Sequence, residues 1–460
     1  MNTIAVFDVG KTNVKLMAVA PDGFILETVS AANPVQPGPP YRHHDLGRLE
    51  AWLIDNLAAL AHRHPIDAIV TTGHGSGGVL VGDDGPLMPM IDYEQAPPPA
   101  VDAEYRRIAG AFRERGSAIM IGTAHLARQM LWLERDWPEV FAGARAFLAH
   151  PQYWAWRLSG VLASEVTSLA AQSHLWCSAE ARPAALVAAR GWDRLMAPLR
   201  PAWATLGSLK PAFVRSTGLP ATTRVLNGIH DSSANLYRYQ AAGLSDMTVV
   251  STGTWIVPIS DQPGPDFEHE QPGLCCNADV FGHPLPGMLV MGGREFSAVA
   301  GDAAGPASPA LMHRLIDTGT MALPSFSGDD CLFPGTARHG VVAGELAGDA
   351  AARFTLAVLY TALLTDCCLD TVGTTTVVLD GSFVRDPLYG ALIAALRPDR
   401  RVLVNHDQFG TVAGAALLAT HEQRGGPVPL ALETPTRFDH PGLMAYAKTW
   451  RDQAHARKTP

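Results

Sequence analysis

One pattern constrains the fold more than any other, because it occurs twice. Residues 4–19 form an apolar stretch broken at Asp8 to Thr12, and residues 247–259 form another, broken at Ser251-Thr252-Gly253-Thr254. Each half of the chain therefore opens with a strand, a short turn and a returning strand. In the first half the turn Pro21-Asp22-Gly23 leads into a further strand over residues 24–29. Leu46, Leu49, Leu53, Leu57 and Leu60 are spaced at three and four, which predicts an amphipathic helix over residues 45–62. A buried strand is expected at 68–72, then a hairpin of 79–81 turning at 82–85. Helices follow at 101–115, 124–134 and 141–158. The second half predicts a helix at 350–372, a strand at 375–379, a helix at 387–396, a strand at 402–405 and a helix at 411–424. Strand and helix alternate, so the fold class is α/β. The repeat implies a duplicated architecture with a cleft between its halves: 1–245, then 246–435, then a tail of 436–460. A hinge is expected near residues 240–246.

The 460-residue length accommodates two or three domains, and with 47% hydrophobic residues each can bury a core. A net charge of −9 without any long basic run argues against a nucleic-acid partner. The six cysteines, at 177, 275, 276, 331, 367 and 368, show no CxxC spacing, so reduced and mostly buried thiols are expected. Residues 1–15 lack a basic segment followed by an apolar one, which excludes a signal peptide there. The longest uncharged helical run, 354–365, is too short for about 30 Å of hydrocarbon. A soluble, cytoplasmic protein with no membrane partner is the expectation. Lysine is scarce: Lys11 and Lys15 are two of five in a total of 35 basic residues, and such compact charges suit a phosphate.

Four segments carry chemistry. Asp8-Val9-Gly10-Lys11-Thr12-Asn13-Val14-Lys15 lies at a hairpin, where Gly10 permits a turn that presents backbone N–H groups. Thr12, Asn13 and Lys15 offer donors to phosphate oxygens, and Asp8 suits hydrated Mg²⁺, which binds through one or two carboxylates plus phosphates. It is not a Walker loop, since GxxxxGK[ST] is absent. Ser251, Thr252, Gly253 and Thr254 form a second small, hydroxyl-rich turn. In Gly228-Ile229-His230-Asp231-Ser232-Ser233-Ala234, Asp231 opens a helix, where it can cap the helix or accept a proton from an alcohol. The loop Thr72-Gly73-His74-Gly75-Ser76-Gly77-Gly78 combines close backbone approach with an imidazole.

In this order the segments resemble the FGGY family of carbohydrate kinases, which shares the actin and hexokinase fold. Residues 8–15 look like the family's first phosphate motif and 251–254 like its second. Residues 72–75, with Leu80-Val81 and Gly85-Pro86-Leu87, are similar to its sugar-site loop. The YWAWRLSG segment at 153–160 and the stretch around Leu131-Trp132-Leu133 resemble the part that follows. Residues 228–234 match the stretch carrying its catalytic Asp, and 381–389 with 414–416 resemble its nucleotide-proximal part. The resemblance spans about residues 3–420. It implies two actin-like (ribonuclease H-like) domains with an interdomain cleft, and ATP and Mg²⁺ as cofactors. It implies a small-molecule sugar substrate, leaning to a ketose such as a pentulose or 6-deoxyhexulose. The expected base is Asp231. Nucleotide and phosphates are assigned to Gly10, Thr12, Asn13, Lys15, Ser251, Thr252, Gly253, Thr254, Gly381 and Ser382. The sugar is assigned to His74, Gly75, Glu94 and His230, and the metal to Asp8. Departures from the family's pattern are Gly381-Ser382 in place of Gly-Gly, Pro151-Gln152 before Tyr153, and a loose match at Ile91-Asp92-Tyr93-Glu94. A homodimer is compatible with the sequence. The competing class is an actin-like ATPase or a sugar-sensing nucleotide-binding protein. A hydrolase is disfavoured because no G-x-S-x-G or metal-ligand cluster is present.

Overall fold

The structure, a computed structural model, describes residues 3–264, 267–330, 332–407 and 409–457. Two six-membered strand paths organise it. The first contains β1 (Thr3–Val9), β2 (Asn13–Val19), β3 (Ile25–Ala32), β4 (Ile66–Gly73), β5 (Thr205–Ser208) and β6 (Arg224–Leu226), in the order β5-β6-β4-β1-β2-β3. The second contains β7 (Met247–Thr252), β8 (Ile256–Ser260), β9 (Leu274–Ala278), β10 (Pro284–Met288), β11 (Thr376–Gly381) and β12 (Arg401–Val404), in the order β9-β10-β8-β7-β11-β12. The duplication read from the sequence is present in the pairing. β1 runs antiparallel to β2 and parallel to β4, and β7 runs antiparallel to β8 and parallel to β11. The central strands β1 and β4 are almost wholly buried, as strands covered on both faces must be, whereas the edge strand β3 alternates with solvent.

Helix α1 (Leu46–Ala61) buries the five predicted leucines and is capped by Asp45, whose side chain accepts the Arg48 N–H at 2.9 Å. Two helices matter most for function. α2 (Asp231–Ala241) leaves the first sheet, and α5 (Gly410–Leu417) follows the second; α3 (Gly292–Ala300) and α4 (Arg353–Val372) lie between them in sequence. α2 and α5 cross so closely that a Cβ at Gly414 would lie 1.9 Å from the Ala234 carbonyl oxygen. Residues beyond 435 also fold. Helix α6 (Leu443–Ala456) packs into the second sheet's core, with Trp450 fully buried and its Nε1–H donated to the Ala322 carbonyl at 2.6 Å.

Several local expectations are corrected. Strand Gly78–Val81 pairs with Ala146–Ala149, and only a single bridge joins Val81 to Pro86. Ala146–Ala149 is thus a buried strand inside the stretch expected as one helix, and a four-residue apolar run carries no periodicity to separate the two. The helix expected over 101–115 splits at Gly110 into Pro99–Ile108 and Phe112–Arg115. The helix expected over 411–424 ends with a 3₁₀ turn at Leu418–Thr420. The helical segment Ala350–Val372 is long and apolar enough by length and composition to cross a membrane, but 83% of its most apolar 18-residue window is buried inside the protein, as in a core helix. Cys177, Cys275, Cys276 and Cys368 are buried free thiols and Cys367 is half-buried, while Cys331 lies outside the described residues.

Candidate active site

The carboxyl ends of β1, β4, β7 and β11 converge, as crevices in α/β sheets do. Asp8 stands opposite Thr72 in register, and Thr252 stands opposite Gly381. A tight turn delivers the next group: Gly228 adopts φ +83°, and a Cβ there would fall 2.4 Å from the Thr71 carbonyl oxygen. Ile229–His230 then pairs with the end of β4, and Asp231 begins α2.

Asp231 lines a polar cavity of about 220 Å³ together with Lys11, His74, Gly75, Ser76, Tyr93, Gln172, His230, the 251–254 turn, Trp255 and Asn277. Its Oδ1 accepts the Ser232 N–H at 2.6 Å and lies 3.1 Å from His230 Nε2. Burial alone would raise its pKa, but the imidazoles of His230 and His74 and the Ser232 N–H outweigh burial and hold it below the usual carboxylate range. The carboxylate is therefore ionised at neutral pH and stands at a helix N-terminus that favours negative charge. His230 Nδ1 is 3.1 Å from the Ser233 hydroxyl.

Two further cavities adjoin this one. Ser251, Thr252 and Thr411 also line a second cavity with Asp8, Lys15, Asp380, Gly381 and Ser382. Gly253 opens on a third, of about 570 Å³, walled by Phe296, Phe354, Val358, Phe383 and Tyr389, a surface suited to a planar heterocycle. Ser382 and Arg385 border both of these. The three cavities share lining residues: one contains Asp231, one Asp8 and Lys15, and one is apolar. Gly381 is required in the second, since it adopts φ +99° and a Cβ there would sit 2.0 Å from the Thr252 carbonyl oxygen.

Asp8 is 3.8 Å from Lys15. Burial pushes its carboxyl up to about 6, Lys15 opposes that, and the negative charge of Asp231 adds to it. Asp8 and Asp231, whose charges repel, line neighbouring cavities, and the Asp8 carboxylate in the second fits a divalent cation. Among the described residues there is no group of three or more His, Cys, Asp or Glu side chains able to hold a metal, consistent with an ion bound by one or two carboxylates and ligand oxygens.

Not every expected residue meets the cavities. Gly10, His74, Gly75, His230 and the 251–254 turn line the first, Lys15 and Gly381 line the second, and Ser382 joins the last two. Thr12 and Asn13 are exposed at the hairpin tip and line none of these three. The Gly10 N–H does not face a ligand, because it is donated to the Asn13 carbonyl at 3.0 Å. Glu94 does not line the sugar-sized cavity either: Lys11 Nζ holds it at 2.8 Å and Arg294 at 3.2 Å. Lys11 itself, also 2.7 Å from the buried Asp92, reaches the cavity instead. Its neighbour in the hairpin and the scarcity of lysine were the available signals. Gln172, Trp255 and Asn277 carried none.

Known proteins match this arrangement. Residues 3–237 match the N-terminal domain of the FGGY family of carbohydrate kinases, and residues 244–427 match the carbohydrate kinase FGGY C-terminal domain. L-fuculokinases from Salmonella typhi and Escherichia coli (strain K12) are each 25% identical over 289 and 293 residues, about 60% of this chain. The match spans only 61% and 60% of those relatives' own length. A carbohydrate kinase from Novosphingobium aromaticivorans superposes with a TM-score of 0.86 at 31% identity, covering 99% of both chains. A xylulose kinase from Lactobacillus acidophilus shares the fold, with a TM-score of 0.81 at 17% identity over 99% of this chain and 97% of its own. Spanned by both domain models, the chain belongs to the FGGY family of carbohydrate kinases.

Proposed function

We propose that this chain transfers the γ-phosphoryl group of ATP to a hydroxyl of a ketose, giving a sugar phosphate and ADP. One observation carries the reading: an ionised carboxylate, Asp231, lines a sugar-sized cavity that shares Ser251, Thr252 and Thr411 with the cavity of Asp8 and Lys15, and Gly253 with the apolar pocket. The sugar occupies the first cavity, the phosphates lie along Ser251–Thr254 and Lys15, and the adenine enters among Phe296, Phe354 and Phe383. Asp231 orients the attacking hydroxyl and accepts its proton as the phosphoryl group departs in line. Its low pKa suits this order of events, because the hydroxyl becomes acidic only as the bond to phosphorus forms. Lys15 and the helix N-terminus offset charge on the phosphates. Asp8 would hold Mg²⁺, which when bound neutralises charge on the phosphate oxygens. Approach of the two domains excludes water, the competing acceptor.

The cavity lining mixes apolar Met120, Val257 and Leu289 with polar His74, Gln172 and Asn277. That mixture suits a sugar with one deoxygenated end and supports a 6-deoxyhexulose ahead of a pentulose. The names of the relatives, L-fuculokinase and xylulose kinase, support a ketose. A cytoplasmic setting follows from dependence on ATP. The test is an ADP-release assay with L-fuculose, D-xylulose, other ketoses, polyols and aldonates. A responding ketose is expected. ATP hydrolysis indifferent to every sugar would overturn the proposal in favour of an ATPase.

The pH dependence has a defined sign. Asp8 is ionised above its pKa of about 6 and protonated below it in the free protein. The KM for Mg·ATP is therefore expected to stay flat above pH 7 and to rise as pH falls below 6, by up to about tenfold per unit. In Asp8→Asn the KM is expected to be high and flat over the same range, and initial rates from pH 5 to 8 check this.

A further inference from the structure

Gln172 and His174 are non-glycine residues held at φ +46° and +61°, in the left-handed region that costs free energy for side chains of this kind. Gln172 lines the polar cavity that contains Asp231, with its Nε2 3.5 Å from the Ser76 hydroxyl. The strained turn is fixed from behind by a buried network. His125 Nδ1 donates to the Gln172 carbonyl at 2.8 Å, and its Nε2 accepts the N–H of Met120, another cavity residue, at 2.8 Å. Those two bonds define one neutral tautomer. His174 stacks on His125 with ring centroids 3.6 Å apart, and is held by the Tyr105 hydroxyl at 2.6 Å and the Ser117 hydroxyl at 2.8 Å. Burial keeps both imidazoles well below their ordinary pKa, so the stack stays uncharged at physiological pH. Between them the Ser173 carbonyl accepts the Ala127 N–H at 3.0 Å.

A turn so heavily restrained, in a conformation that glycine would adopt without strain, is maintained for the side chain it presents. We infer that Gln172 is a specificity-determining residue, whose carboxamide hydrogen-bonds a hydroxyl of the sugar, and that His125 is its positioning residue. The inference rests on the sugar-kinase reading of the cavity. A carboxamide both donates and accepts, so it selects for a hydroxyl at one position and against a sugar that lacks it.

Gln172→Gly separates this role from a structural one, because glycine relieves the left-handed strain while removing the carboxamide. The assay uses each ketose that responds in the ADP-release panel, together with its monodeoxy analogues. The expected result has three parts. The KM for the parent sugar rises roughly 3- to 10-fold, the size of one neutral hydrogen bond. Discrimination against one monodeoxy analogue disappears, and neither the KM for ATP nor the Tm worsens. Gln172→Ala should reproduce the sugar effect with a lower Tm. His125→Phe should show the same loss of discrimination. An unchanged sugar KM in Gln172→Gly, or equal losses for every analogue and for ATP, would overturn the inference. Failure of the unmodified chain to phosphorylate any sugar is a different result, and it overturns the reading of the whole site.

Discussion

Asp231→Asn is expected to lower turnover by roughly 10²–10⁴-fold, the scale of a lost general base, with sugar and ATP still bound. The substitution keeps the shape of the side chain, and an amide oxygen can still accept the Ser232 N–H that Oδ1 accepts at 2.6 Å. What it removes is the capacity to take a proton from the attacking hydroxyl. Binding of both ligands by calorimetry, beside steady-state rates, separates the two. Near-normal turnover would sink the assignment. A second readout follows from electrostatics. The charge of Asp231 is one cause of the raised pKa of Asp8. In Asp231→Asn that repulsion is gone, so the acid limb in Mg·ATP binding should move to lower pH. A limb that stays near 6 would show that the two carboxylates do not sense each other.

Trp450→Ala is expected to destabilise the second domain by about 3–5 kcal/mol, the usual cost of emptying an aromatic site in a core. Trp450 is fully buried, donates to the Ala322 carbonyl at 2.6 Å, and packs edge-on against Phe333 and Tyr360 with centroids 5.9 and 6.1 Å away. Truncation leaves a cavity and strands that carbonyl. A drop on the order of 10 °C in the Tm of that domain should follow. Trp450→Phe keeps most of the volume and should lose less than half as much. A Tm shift under about 2 °C for Trp450→Ala would mean that α6 contributes little, contrary to its packing.

The parts of this fold legible in sequence were those with strong local signals. The leucines of α1 have one periodic solution, and the helix forms where the spacing puts it. The two strand-turn-strand units were legible because each repeats the same chemistry at the start of a half. Ala146–Ala149 was not, because Ala-Phe-Leu-Ala is equally apolar as helix or strand, and its partner lies at 78–81, far away in sequence. In the site, Asp231 and the 251–254 turn carry their own turn chemistry and could be found alone. The surroundings of Glu94 were not legible because Lys11 and Arg294 come from two other parts of the chain to pair with its carboxylate. Gln172 was invisible for the same reason, since what distinguishes it is a left-handed backbone angle and a carbonyl bonded by His125, distant in sequence.

The bare contact between Gly414 and the Ala234 carbonyl has a mechanical meaning. A Cβ at Gly414 would meet the Ala234 carbonyl oxygen at 1.9 Å and Arg238 Cβ at 3.3 Å, so the helices touch backbone to backbone, a contact that would serve as the axle of the domain closure proposed above. Asp231 is less than one helical turn from that axle. Parts near an axle travel least. In the proposed reaction, domain closure about this contact would leave Asp231 almost still and bring the nucleotide towards it.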